Sequence, residues 1–248
     1  MLTIRSILFS IYFTIITFCI AFALPFVAFD FFVFKSRKTA DKLGKVWSLA
    51  VLTGLKYICQ INYKIKGLNN IPKNTPFIIA SKHQSILETI IIYKTFREPV
   101  FILKKELLFL PLYGWALAMT NQISINRKET RKAFKKITET AKYYFEKNSQ
   151  TMIIFPQGTR TPIHSTTEKY PYKAGVIGLA KSLECPILPT AINTGLFWGK
   201  RQFIKNPGTV IIEFLKPITT KELRKKNKKQ LIQQLELEIE NKSNELIK

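Results

Sequence analysis

His83 and Glu88 are the side chains whose types and spacing could do acid–base chemistry: an imidazole can take a proton near neutral pH, and a carboxylate can hold it in one tautomer. On a continuous helix this spacing turns the second residue about 140° away from the first, so the pair cannot share a helical face. The surrounding residues offer another arrangement. Residues 76–80 form a short apolar run that reads as a buried strand, and residues 86–92, rich in Ile and Leu, read as a helix. His83 stands in the only polar break between them, at the carboxyl end of a strand, where α/β folds build their sites. If the helix starts near Ser85, Glu88 falls in its first turn and points back toward the incoming chain, within reach of His83. The same residues also spell a capping box, with Ser85 as N-cap and Glu88 reaching back to its backbone N–H. On these residues alone both readings stand.

A second constellation suits a phosphate. Phe155-Pro156-Gln157-Gly158-Thr159-Arg160 follows an apolar run and gathers backbone N–H groups, the Thr159 hydroxyl and the Arg160 guanidinium in one turn. A plain Pro-Gly turn with a surface arginine accounts for it equally well. Ser124-Ile125-Asn126-Arg127 supplies another arginine after an apolar stretch, and Lys104-Lys105, with Pro111 and Gly114 downstream, supplies a third basic corner. Solvated basic faces are the commoner origin of such charges, and His164 reads as an ordinary loop histidine.

The elements that would position these groups alternate. Residues 61–66 show strand periodicity, and apolar runs at 100–103, 152–155, 187–192 and 210–215 are separated by helical patterns at 129–147 and 173–183. Alternating strands and helices predict an α/β domain with a mixed, partly parallel sheet flanked by helices. Ahead of it, residues 7–29 carry no charged side chain, long enough to enter or cross a hydrocarbon core. The stretch is too long and aromatic for a signal-peptide core, so a retained membrane segment is expected. Arg5 alone precedes it, while Lys35, Arg37, Lys38, Lys42 and Lys45 follow, which predicts that the bulk of the protein faces the cytoplasm. Pro25, Asp30 and a second apolar stretch at 46–55 leave open a pair of helices inserted in one leaflet. The expected division is 1–60 for the membrane-anchoring helices, 61–218 for the globular domain and 219–248 for a basic C-terminal helix or tail.

The chain of 248 residues has a formal net charge of +23, which calls for an anionic partner or surface. Nucleic acid and anionic lipid are the two usual ones. Base stacking would want aromatics interleaved with the basic residues, and residues 221–229 have none, so nucleic acid is not expected. Cys19, Cys59 and Cys185 lie far apart, without a disulfide framework or a zinc knuckle. A serine hydrolase would want a Gly-x-Ser-x-Gly elbow, which the sequence lacks.

Taken in order, four segments resemble the motifs of the 1-acylglycerol-3-phosphate O-acyltransferase family, the lysophosphatidic acid acyltransferases, over residues 61 to 217. That family's His-x-x-x-x-Asp is matched by His83 through Glu88. Its second motif, ending Asp-Arg or Asn-Arg, is matched by Asn126-Arg127, and its Phe-Pro-Glu-Gly-Thr-Arg by residues 155–160. Its apolar run with an internal proline is matched by Ile187-Leu188-Pro189-Thr190-Ala191-Ile192. The resemblance implies the glycerolipid acyltransferase fold and transfer of an acyl chain from acyl carrier protein or coenzyme A to the 2-hydroxyl of a lysophosphatidate. It implies no metal or cofactor, a site facing the cytoplasm, and the inner membrane's phospholipid surface as partner. His83 would be the general base and Glu88 its orienting carboxylate. Arg160 would hold the acceptor phosphate with Gly158 and Thr159, aided by Arg127 and one of Lys104 or Lys105. Two departures stand out. Glu88 replaces the usual Asp, keeping the carboxylate one methylene further out, and Gln157 replaces the usual Glu, removing a charge. Two rivals remain, an acyltransferase for another lysolipid and a non-catalytic, membrane-tethered basic binding protein.

Overall fold

Strands β2 (Phe77–Ser81) and β6 (Ile187–Ile192) are buried at every position, as expected of apolar runs without alternation that are covered on both faces. In the computed structural model, which describes residues 1–34, 36–110, 112–120, 122–125, 130–146 and 151–248, they lie at the centre of a seven-stranded sheet. The other strands are β1 (Ile61–Lys66), β3 (Val100–Lys104), β4 (Ile123–Ile125), β5 (Thr151–Ile154) and β7 (Gly208–Phe214), in the order β1-β7-β6-β2-β5-β3-β4. Every neighbouring pair is parallel except β6 with β7, so the sheet is mixed and mostly parallel. Ala80 stands opposite Ile154 on β5 and Pro189 on β6, which brings the carboxyl ends of three adjacent parallel strands to one edge.

Helices cover both faces. On one side Ile79, Ile153 and Leu188 pack with α1 (Leu2–Ala21), α3 (Lys38–Cys59) and α4 (Leu87–Thr95), through Phe9, Val51, Leu55, Leu87 and Ile91. On the other, Ile78, Ala80, Met152 and Ile187 pack with α6 (Thr130–Glu146), α7 (Gly175–Leu183) and a C-terminal helix. Ile78 and Ala80 facing away from Ile79 is the two-residue period of a strand. Between these elements lie α5 (Tyr113–Met119), α8 (Gly195–Trp198) and α9 (Thr220–Lys225). The last helix, α10 (Lys228–Leu246), presses Leu231, Leu235 and Ile239 into the second face. Asn227 caps α10 in a capping box with Gln230.

The uncharged stretch at 7–29 is not one helix. α1 ends at Ala21, and α2 (Leu24–Phe34) begins with Pro25 in its first turn, where its missing N–H costs no helical hydrogen bond. Among the described residues, α1 is the one helix long and apolar enough to cross a membrane. It exposes Ile7, Leu8, Ile11, Ile15 and Phe18, and α2 exposes Phe26, Phe29, Phe32 and Phe34. The apolar residues at 46–55 lie within α3, which buries Val51, Leu52 and Leu55 under the sheet. Its outer face meets α1, where Tyr12 Oη donates to the Ala50 carbonyl at 2.9 Å and Trp47 Nε1 to Thr17 Oγ1 at 3.1 Å. The apolar hairpin is thus bolted to the domain rather than tethered by a linker.

Candidate active site

The site forms where β2 gives way to α4. The helix starts at Leu87, two residues after Ser85, because the Ser85 hydroxyl accepts the Leu87 N–H at 3.1 Å instead of capping one residue later. Glu88 then lies in the first turn and is fully buried, and its Oε1 meets His83 Nδ1 at 2.6 Å. The same Oε1 accepts the Gln84 N–H at 3.0 Å and the Ser85 N–H at 2.9 Å, and Oε2 accepts Ser85 N–H at 3.1 Å and the Thr194 hydroxyl at 2.7 Å. One carboxylate therefore ties down the loop and orients the imidazole at once, since it offers about four acceptor positions. Of the expected capping box only the carboxylate's half forms: Glu88 reaches back to the Ser85 N–H, but the N-cap is Ile86 and the Ser85 hydroxyl meets the Leu87 N–H rather than that of Glu88.

A carboxylate partner at Nδ1 assigns the ring proton to that nitrogen and leaves the Nε2 lone pair to accept a substrate proton. The ring is fixed from its face as well: it stacks on Phe155 with centroids 3.9 Å apart and planes 14° apart. His83 keeps 19% of its side chain exposed while Glu88 has none, the arrangement of a base open to substrate over a dry carboxylate.

The loop after β5 is stitched to the His83 loop. The His83 carbonyl accepts the Thr161 N–H at 2.7 Å and the Thr161 hydroxyl at 3.3 Å. Buried Gln157 presents Oε1 toward the His83 N–H at 3.5 Å, so the residue that replaces an acid here faces the backbone of the base. Gly158 has φ +73°, a left-handed conformation that a side chain would strain, and its N–H closes a turn onto the Phe155 carbonyl at 2.9 Å. Pro156 occupies the position of that turn its fixed φ favours. Arg160 is exposed, and Thr159 beside it is half-buried. Lys105 is exposed at the end of β3, on the same edge of the sheet as His83. Arg127, with Asn126, lies outside the described residues. The structure thus gathers His83, Glu88, Gly158, Thr159 and Arg160 at the ends of β2 and β5, with Lys105 one strand further along.

Two neighbours escaped the sequence reading. Lys200, just after α8, donates Nζ to the Arg160 carbonyl at 3.1 Å and stands 3.4 Å from Thr159 Oγ1, adding a cation to the phosphate-like loop. Thr194, at the end of β6, closes over Glu88. The available signal for Thr194 was a hydroxyl just past an apolar strand, and for Lys200 a basic pair in a loop, neither of which points to a partner. Lys82, next to His83, is 1% exposed and pairs with Glu240 of α10 at 2.6 Å, while Tyr172 donates its hydroxyl to the same carboxylate at 2.9 Å. Burial, and then the Glu240 charge and hydrogen bond, push the Tyr172 phenol well above its ordinary range, so it remains a donor.

Comparison with known proteins agrees with this geometry. Residues 62–193 match the family model described as acyltransferase. The chain is similar to the 1-acyl-sn-glycerol-3-phosphate acyltransferase of Pseudomonas aeruginosa, with 35% identity over 165 residues, 66% of this chain and 60% of that protein. It is similar to the enzyme of the same name from Saccharomyces cerevisiae, with 28% identity over 69% of this chain and 56% of the relative. The matched stretch thus spans about 60% or less of these relatives' length. The crystal structure of the 1-acyl-sn-glycerophosphate (LPA) acyltransferase PlsC from Thermotoga maritima superposes with a TM-score of 0.79 at 26% identity, over 99% of this chain and 98% of that one.

Proposed function

We propose, on the premise that this chain belongs to the acyltransferase family, that it moves an acyl chain from an acyl carrier protein or coenzyme A thioester to the 2-hydroxyl of 1-acyl-sn-glycerol-3-phosphate, giving phosphatidic acid. The observation that carries the reading is the His83–Glu88 dyad, an imidazole open to substrate on a fully buried carboxylate at the carboxyl edge of a parallel sheet. A hydroxyl is a poor nucleophile near neutral pH, so Nε2 of His83 takes its proton as the oxygen attacks the thioester carbonyl. The tetrahedral intermediate then expels the thiolate, which takes that proton from the imidazolium and leaves as the free thiol. Glu88 stabilises the imidazolium while it exists. No acyl-enzyme forms, and the reaction as proposed draws on no metal or further cofactor.

In this reading Arg160 holds the acceptor phosphate, since a guanidinium grips phosphate in a bidentate fork, with Gly158 and Thr159 shaping the turn and Lys105 and Arg127 adding positive charge. An apolar cavity of about 640 Å³ between the α1–α2 hairpin and α5, lined by Phe18, Phe22, Phe32 and Trp115, is of a size that suits a lipid chain. The exposed apolar faces of α1 and α2 would lie in the inner membrane with the sheet on the cytoplasmic side. Anionic lipid then attracts the basic surface at about 1 kcal/mol for each basic group near it.

The test is to supply the detergent-purified full-length protein with an acyl thioester on acyl carrier protein or on coenzyme A and a panel of lysolipids. Phosphatidic acid is the expected product, and His83→Ala should remain folded and abolish it. Preference for an uncharged or zwitterionic lysolipid would replace the acceptor in this reading, and no transfer to any would favour the binding-protein rival.

A further inference from the structure

The Glu88 carboxylate has a partner that the reaction as outlined does not explain. The Thr194 hydroxyl donates to Oε2 at 2.7 Å across 106 residues of sequence, and both side chains are fully buried. Among the described residues it is the one side-chain hydroxyl on this carboxylate. Thr194 stands at the N-cap of α8, where a hydroxyl ordinarily accepts an N–H of its own helix, yet its side chain makes no capping bond. Its one donated bond goes to Glu88.

We propose that Thr194 is a positioning residue for acyl transfer: its hydroxyl holds Glu88 in the orientation that faces His83 and thereby aims the basic Nε2. The inference rests on the acyltransferase reading above. A carboxylate turns about a broad terminal torsion, so bonds on one oxygen alone leave its plane loosely defined. The Gln84 N–H, the shorter Ser85 bond and His83 Nδ1 all meet Oε1, whereas among the described residues Oε2 has only the longer Ser85 contact and Thr194. Thr194 supplies the second point that fixes the plane.

The hydroxyl is itself rigidly presented. Just before it, Asn193 accepts the Ile211 N–H at 2.7 Å and donates to the Leu246 carbonyl at 3.2 Å, tying the strand end to β7 and α10. Just after it, the Gly195 N–H donates to Gln84 Oε1 at 3.2 Å, so this bond and the one from Thr194 to Glu88 latch the end of β6 to the His83 loop at two points. At the far end of α8, Trp198 packs edge-on against Phe9 at 5.6 Å and Phe13 at 6.2 Å, both from α1. The donor therefore sits on a short helix clamped between the sheet and the apolar hairpin.

The experiment compares Thr194→Val, which keeps the shape without the donor, and Thr194→Ser, which keeps the donor, in the full-length protein. With saturating thioester, Thr194→Val should lower kcat about ten- to a hundredfold, the span of one hydrogen bond to a charged group, and leave the KM for lysophosphatidate within about threefold. Thr194→Ser should recover most of the turnover. In a Glu88→Gln background the Val change should cost less than threefold, because the group through which it acts is gone. Thr194→Ala serves the same comparison should the Val variant fail to fold. Equal loss in the Val and Ser variants, full additivity with Glu88→Gln, or a lowered melting temperature at unchanged kcat would each overturn the proposal. If the wild-type protein transfers no acyl chain, the functional reading falls instead, and the two failures stay separate.

Discussion

Replacing Glu88 by Gln separates the two tasks proposed for its carboxylate, holding the loop and supporting the base. An amide oxygen in place of Oε1 can still accept from His83 Nδ1, the Gln84 N–H and the Ser85 N–H, which stand 2.6, 3.0 and 2.9 Å away. At Oε2 an NH₂ group would face the Ser85 N–H, and the Thr194 hydroxyl would have to turn and accept. The loop thus loses about one hydrogen bond, worth roughly 1 kcal/mol and a fall in Tm of about 2–4 °C for a chain of this size. The chemistry loses far more. During transfer the imidazole becomes cationic beside a fully buried anion, and two unit charges at about 4 Å attract by about 4 kcal/mol at an effective dielectric of about 20. Set against the neutral hydrogen bond that remains, kcat should fall about a hundred- to a thousandfold with KM little changed. Steady-state transfer assays with matched calorimetric melts measure both. A variant that melts several degrees lower yet turns over within threefold of wild type would show that Glu88 is only a cap and refute its part in the base.

At Arg160, substitution by Lys keeps the charge and loses the fork; the KM for the lysolipid should rise about ten- to a hundredfold, more than kcat falls. A rise in thioester KM instead would move Arg160 to the donor site. Lys82→Ala leaves the Glu240 carboxylate, only 13% exposed, opposite a cavity, and losing one partner of a buried pair costs about 3–5 kcal/mol. Thermal unfolding should then shift down by roughly ten degrees; an unchanged Tm would mean that water replaces the ammonium freely. Carbonate or high-salt washing should leave the full chain on membranes, because the exposed faces of α1 and α2 are apolar. Release by salt alone would reduce the attachment to surface charge.

Most of what could be read from the sequence lay within short stretches. The strand–loop–helix pattern around His83 and the parallel α/β layout followed from apolar period and run length, which report burial and so survive without knowledge of the partner. The turn at 155–160 was legible because Pro156 and Gly158 restrict the backbone whatever surrounds them. The sequence also carried the pairing of His83 with Glu88, since a helix start between them brings their side chains together. It left capping and acid–base work as alternatives, and only the coordinates show that one carboxylate meets both the Ser85 N–H and the His83 imidazole.

What needed the tertiary structure is everything set by chain closure over long distances. Thr194 meets Glu88 across 106 residues, and Lys82 meets Glu240 across 158. The antiparallel turn of β7 against β6 likewise emerges only from packing. Hydrophobic patterning says which face of an element is covered but is nearly blind to what covers it, because apolar burial is non-directional. Hydrogen bonds and buried ion pairs are directional and short, so their partners are chosen only once the sheet has brought its strand ends to one edge.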